Sequence, residues 1–280
     1  MLTIVLALAL SGPMQGQPAA KSAPKPNDPQ MIADYEALVA FVQKTPRFSV
    51  EAIKTDQDDD GHLEKMHYAF RLERPGRFRL EVRPDERHTP ALIVVSDGKT
   101  VTTYHAPRNI YSESPFQDVL SALDEDVVVA RALSGSLVDT LLRSDLVPII
   151  RERVTDGALV GTETVDGRSL RHYRLRWRGD AEELWIGPDA EPLLRKLVRT
   201  QVIPEAGGKS SQIVTTTALS WTVGGPTPEG AFTMKLPPQA RKVDDIADAL
   251  MELENEPTPV PTPTPAPTEK PSGPAATPKP

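Results

Sequence analysis

Apolar and polar positions alternate along most of the chain between Arg47 and Tyr111. Phe78, Leu80 and Val82 are interleaved with Arg77, Arg79, Glu81 and Arg83, the period of two that gives a strand one buried and one wet face. Phe48, Val50 and Ala52 follow the same rule, as do Met66, Tyr68, Phe70 and Leu72. Ala91 to Val95 leads through Ser96-Asp97-Gly98-Lys99 into Thr100 to Tyr104. Asp-Gly between two apolar runs predicts a hairpin, because glycine tolerates positive φ. Before this region the period is helical. Met31, Ile32, Tyr35, Leu38, Val39 and Val42 recur behind Asp28 and Pro29, an N-cap and first-turn pair that predicts a helix ending before Pro46.

Ser114-Pro115-Phe116-Gln117 has the form of a capping box. It predicts a helix from Pro115, continued by Val127 to Leu133 and Leu137 to Leu142 into an apolar helical insert over about 115–143. Strands resume after Asp156-Gly157: Leu159 to Val165, Leu170 to Trp177, Glu182 to Ile186, Leu193 to Val202, Gln212 to Trp221 and Ala231 to Leu236. With those before the insert they number roughly ten or eleven, more than a flat sheet holds without curling. The expected fold is α+β and mainly β: a curled, half-open antiparallel barrel with an N-terminal helix and a helical lid. Val243, Ile246, Ala247, Leu250 and Leu253 predict a short helix within 241–255.

Several motifs carry a family resemblance. Arg74-Pro75, then Phe78 and its strand, then Val95-Ser96-Asp97-Gly98-Lys99-Thr100 resemble the periplasmic lipoprotein carriers of the LolA/LolB type. Ala231-Phe232-Thr233-Met234-Lys235-Leu236-Pro237-Pro238 with Val243-Asp244-Asp245 is similar to that family's last strand and exit, and Ser114-Pro115-Phe116 to its helix opening. The matches keep family-like order over residues 28–245. The resemblance implies a carrier domain over 28–240, without catalysis, that holds a lipid or lipoprotein acyl chain. It also implies that Arg74 reaches inward to hydrogen-bond carbonyls of the lid, a latch suited to the guanidinium's fixed donor fork.

The ends of the chain differ from its middle. Leu2 to Leu10 is apolar and too short to span a bilayer, so residues 1–20 are expected to be a secretory signal, although Met1-Leu2-Thr3 carries no Lys or Arg. Residues 21–27 form a linker. Residues 256–280 are Pro- and Thr-rich, and an extended, disordered arm is expected there. With no cysteine there is no lipobox acceptor and no disulfide; the expected product is a soluble, exported, periplasmic monomer. A net charge of −7 argues against nucleic acid.

Candidate chemistry is sparse. Asp56, Asp58, Asp60 and Gly61 match a calcium loop, but His67 stands where a bidentate Glu is required, so an acidic, solvated hairpin is the expected reading and no metal is assigned. His62, His67, His88, His105 and His172 show no zinc spacing. Gly98-Lys99-Thr100 and Gly208-Lys209-Ser210 lack the earlier glycine of a phosphate loop. No G-x-S-x-G elbow and no cofactor motif occurs, so no enzyme is expected. The cavity of the expected barrel would be lined by Phe70, Phe78, Leu80, Val82, Val94, Tyr104, Phe116, Leu120, Tyr173, Leu175 and Trp221. Its partners would be a hydrophobic or lipidated ligand and envelope membrane proteins. The alternative is an envelope signalling or assembly module that uses the same scaffold for protein contacts.

Overall fold

Two antiparallel meanders make up the sheet. A computed structural model describes residues 27–133, 142–143, 145–177, 180–188, 191–204 and 209–255. The predicted signal, most of the linker, residues 134–141 of the insert and the Pro/Thr arm lie outside these. The first meander is β1 (Arg47–Asp58), β2 (Leu63–Glu73), β3 (Arg77–Pro84), β4 (Leu92–Asp97), β5 (Thr100–His105) and β6 (Ile110–Pro115). The second is β7 (Val154–Val165), β8 (Arg168–Trp177), β9 (Asp180–Ile186), β10 (Leu194–Pro204) and β11 (Ser210–Val223). They join where β1 pairs with β11, and a two-residue strand, β12 (Arg241–Lys242), lies parallel to β6.

The result corrects the expected barrel. All twelve strands form one open sheet in the order β12-β6-β5-β4-β3-β2-β1-β11-β10-β9-β8-β7, neither closed nor strongly curled. Strand number does not force curling when helices bury the apolar face. Helices α1 (Pro29–Lys44), α2 (Val119–Asp124), α3 (Val127–Leu133) and α4 (Leu146–Arg153) perform that task. Their buried side chains share one core with β1 to β5 and β8 to β11.

Helix α1 forms as predicted: the Asp28 carboxylate accepts from the Gln30 amide, and Met31, Tyr35, Leu38, Val39 and Val42 are buried. Asp97-Gly98 closes β4 onto β5, with Gly98 at φ +93° and the Asp97 carboxylate accepting the amides of Lys99 and Thr100. Those amides hold the Asp97 carboxyl below the usual carboxylate range.

Other expectations need correction. Ser114-Pro115 ends β6, and the cap of α2 is Asp118, which accepts from the Ser121 amide. Asp lies one residue after the false box, where its carboxylate reaches the orphan amides. Helix α4 was missed because Pro148 breaks the apparent run, although proline is tolerated in a first turn. Ala231 to Leu236 is not a strand. Residues 224–240 cross from β11 to β12, with Thr227 hydrogen-bonded to Glu73 and Phe232 under the Arg77 guanidinium. Phe232, Met234 and Leu236 border an open surface pocket together with Val95, Thr100 and Thr102. After β12 follows α5 (Ile246–Asn255), whose Ile246 and Ala249 are buried with Ile110.

Candidate functional site

The candidate site is the helix-covered face of the sheet. Strand periodicity puts Val50, Ala52, Phe70, Leu72, Phe78, Leu80, Val82 and Val94 on this face, and the second meander adds Tyr173, Leu175, Leu184, Leu197 and Trp221. Aromatic rings concentrate across β11, β1, β2 and β3: Trp221 to Phe48 at 5.4 Å, Phe48 to Phe70 at 6.1 Å and Phe70 to Phe78 at 6.1 Å between centroids. The Trp221 indole N–H donates to the Leu194 carbonyl at 2.8 Å, which satisfies its one polar atom.

Of the sequence-predicted liners, Phe70, Phe78, Leu80, Val82, Val94, Tyr173, Leu175 and Trp221 are brought together in this core, and Phe116 packs against its edge. Phe116 sits over Gly76, where a Cβ would lie 2.5 Å from its ring. Leu120 lies half-buried on α2. Tyr104 is not part of the set: it pairs with Ile93, on the face opposite Val94, and its hydroxyl donates to Asn109 Oδ1 at 2.9 Å.

The cover has two differently held halves. Helix α1 is tied by charge. Asp34, 4% exposed, accepts from Arg171 Nη1 at 2.6 Å, the Tyr173 hydroxyl at 2.6 Å and Gln30 Nε2 at 2.9 Å. Burial, then the Asp34 hydrogen bond, pushes the Tyr173 phenol well up, so it remains a donor. The C-terminal end of α1 is held by Arg74, whose Nε donates to the Thr45 carbonyl and Nη2 to that of Val42, each at 3.2 Å. The guanidinium thus engages the orphan carbonyls of α1, where a cation also complements the helix dipole, and, among the described residues, not those of the 115–143 insert that the family resemblance implied. Arg74→Leu is expected to raise hydrogen exchange in the last turn of α1 and lower stability by about 1.5–3 kcal/mol. Arg74→Lys, with no fork, should restore little, as urea unfolding of the three proteins would measure.

Helices α2 and α3 instead add Leu123, Val129 and Leu133 to the core they share with the sheet. Among the described residues, α3 is joined to the sheet by the Tyr68 hydroxyl donating to the Ala132 carbonyl at 3.0 Å. Burial raises the Tyr68 phenol above its ordinary pKa and keeps that proton in place.

A charged row borders the apolar face. Asp56, Thr215, Arg199 and Glu182 are cross-strand neighbours on β1, β11, β10 and β9. Thr215 donates to Asp56 at 2.6 Å, and Arg199 Nε to the buried Glu182 at 2.6 Å. Burial raises the Glu182 carboxyl's pKa, and Arg199 opposes it. Asp56 is thereby committed to Thr215 and to Lys54, at 2.8 Å. Asp58 accepts the amides of Asp60 and His62, so the calcium-like spacing folds as a self-bonded hairpin loop. Among the described residues no three His, Cys, Asp or Glu side chains group to hold a metal.

Sequence reasoning missed Phe48 as a site residue, although it alternates with Val50 and Ala52. It also missed Asp34, whose signal was a carboxylate within the apolar stripe of α1. Arg171 on β8 shares the covered face with Tyr173 and Leu175, where it meets Asp34.

Residues 35–245 match the family model described as predicted periplasmic protein (DUF2092). The chain belongs to this family, and it is a periplasmic protein. Similar solved structures include an uncharacterized conserved protein from Thermus thermophilus, at 15% identity and TM-score 0.40, covering 76% of this chain and 97% of that one. MucB aligns at 16% and 0.42, covering 75% of this chain and 65% of its own. The LolA superfamily protein NE2245 from Nitrosomonas europaea aligns at 12% and 0.32, covering 72% and 95%. At these identities and scores nothing about this chain's fold, ligand or chemistry is drawn from them. A comparison with curated protein sequences yields no match.

Proposed function

We propose that this periplasmic protein is a non-catalytic binding or carrier protein that takes an apolar ligand, an acyl chain of a lipid or lipoprotein, between α2–α3 and strands β2 to β5. The observation that carries the reading is the division of the cover: α1 is fixed by a buried carboxylate and an arginine fork, while, among the described residues, α3 meets the sheet through apolar packing and the Tyr68 hydrogen bond. Apolar contacts are non-directional, so an acyl chain can replace those of α3 with the sheet. Each methylene it buries contributes about 0.8 kcal/mol.

Titration of the full chain with the fluorescent fatty acid cis-parinaric acid tests this. Saturable binding at one probe per chain is expected. Tyr68→Phe removes a hydrogen bond worth about 0.5–1.5 kcal/mol and should speed uptake by about two- to tenfold. Absence of saturable binding would sink the reading.

A second reading, an envelope signalling or assembly module working through protein contacts, is favoured by the filling of the covered face by the protein's own side chains, with Phe78 and Leu80 fully buried. It gains if the probe does not bind.

A further inference from the structure

The C-terminal segment touches both the rigid sheet and the helical cover. β12 adds to the β6 edge: the Arg241 amide donates to the Asn109 carbonyl at 3.0 Å, the Val243 amide to the Tyr111 carbonyl at 2.8 Å, and Lys242 pairs with Glu113 at 2.5 Å. These bonds fix where α5 begins. Asp245 then accepts the Asp248 amide at 3.0 Å, and α5 lays Ile246 and Ala249 on Ile110 of β6. The small cluster so formed also takes in Val128 of α3, and Val128 packs at the same time against the main core. One side chain therefore bridges the C-terminal helix and the α2–α3 part of the cover.

We propose that α5 is a clasp on α3, so that displacing α5 loosens the α2–α3 cover while leaving α1 and the sheet in place. Coupling of this kind is reciprocal: what loosens α5 loosens α3, and what loosens α3 loosens α5. The clasp rests on the ligand reading for its purpose, since it would set how readily the covered face opens, but its physical content needs no ligand. It would also let a protein partner that grips α5 control the cover.

Hydrogen exchange by mass spectrometry on the full chain tests it. Ala249→Asp puts a carboxylate into the small cluster. The expected result is exchange at least fivefold faster in Val127–Leu133, with Pro29–Lys44 and β1 unchanged. Val128→Ala, which trims the bridge from the other side, should speed exchange in Ile246–Asn255. If Ala249→Asp frays α5 and leaves Val127–Leu133 at its original rate, the clasp is overturned; if that variant does not fold, an unchanged α5 in Val128→Ala overturns it. Coupled exchange without cis-parinaric acid binding would remove the ligand reading and keep the clasp. Binding with uncoupled exchange would do the reverse.

Discussion

Phe78→Ala is expected to lower stability by about 3–5 kcal/mol, the range for emptying a large aromatic site in a packed core. Phe78 is 0% exposed and lies against Phe70 in the ring row shared with Phe48 and Trp221. Truncation loses both the transfer free energy of the ring and the contacts of the groups around the space it leaves. The result should appear in urea unfolding as a lower midpoint with an unchanged slope, since the surface exposed on unfolding hardly alters. Phe116→Ala, at the half-buried edge of the core, should have a smaller effect. The Phe78 value also bears on function. A loss below about 1 kcal/mol would mean that the ring borders space the protein does not fill, and cis-parinaric acid would then bind the variant better than the parent.

Asp34→Ala should cost about 3 kcal/mol, near the low end for breaking a buried ion pair by removing one partner. The Asp34 carboxylate is 4% exposed and accepts from Arg171 and Tyr173; without it, the guanidinium and the phenol each lose one buried acceptor beneath α1. Arg171 is partly exposed, so water recovers some of the loss and the upper end of the range is not reached. Tyr173→Phe should cost about 1 kcal/mol. A double-mutant cycle between Asp34→Ala and Arg171→Ala measures the pair directly. A coupling energy near zero would contradict the view that α1 is the fixed half of the cover.

Local pattern was enough for elements whose faces are set by their own residues. Asp28-Pro29 and the helical spacing to Val42 gave α1, and Asp97-Gly98 gave the β4–β5 hairpin because few residues take φ +93°. What the chain does with those elements depends on distant partners. Nothing near Asp34 announces Arg171, 137 residues away. Arg74 was singled out from Arg-Pro, but which carbonyls its fork reaches is decided by where α1 ends. The open sheet was misread for a similar reason: alternation shows that one face is apolar but not whether strands or helices will bury it. Tyr104 shows the limit within a single strand, because Val101, Thr103 and Tyr104 are all buried and only the register with β4 shows that Tyr104 faces away from Val94.

The measurement that bears most directly on the proposed role is native mass spectrometry, with lipid extraction, of the full chain recovered from the periplasm of an expression host. An acyl-chain carrier should arrive with about one lipid-sized adduct per chain, and the extract should contain acyl lipids. A clean apo mass that stays apo when lipids are offered would contradict the carrier account and leave a protein-contact module on this scaffold.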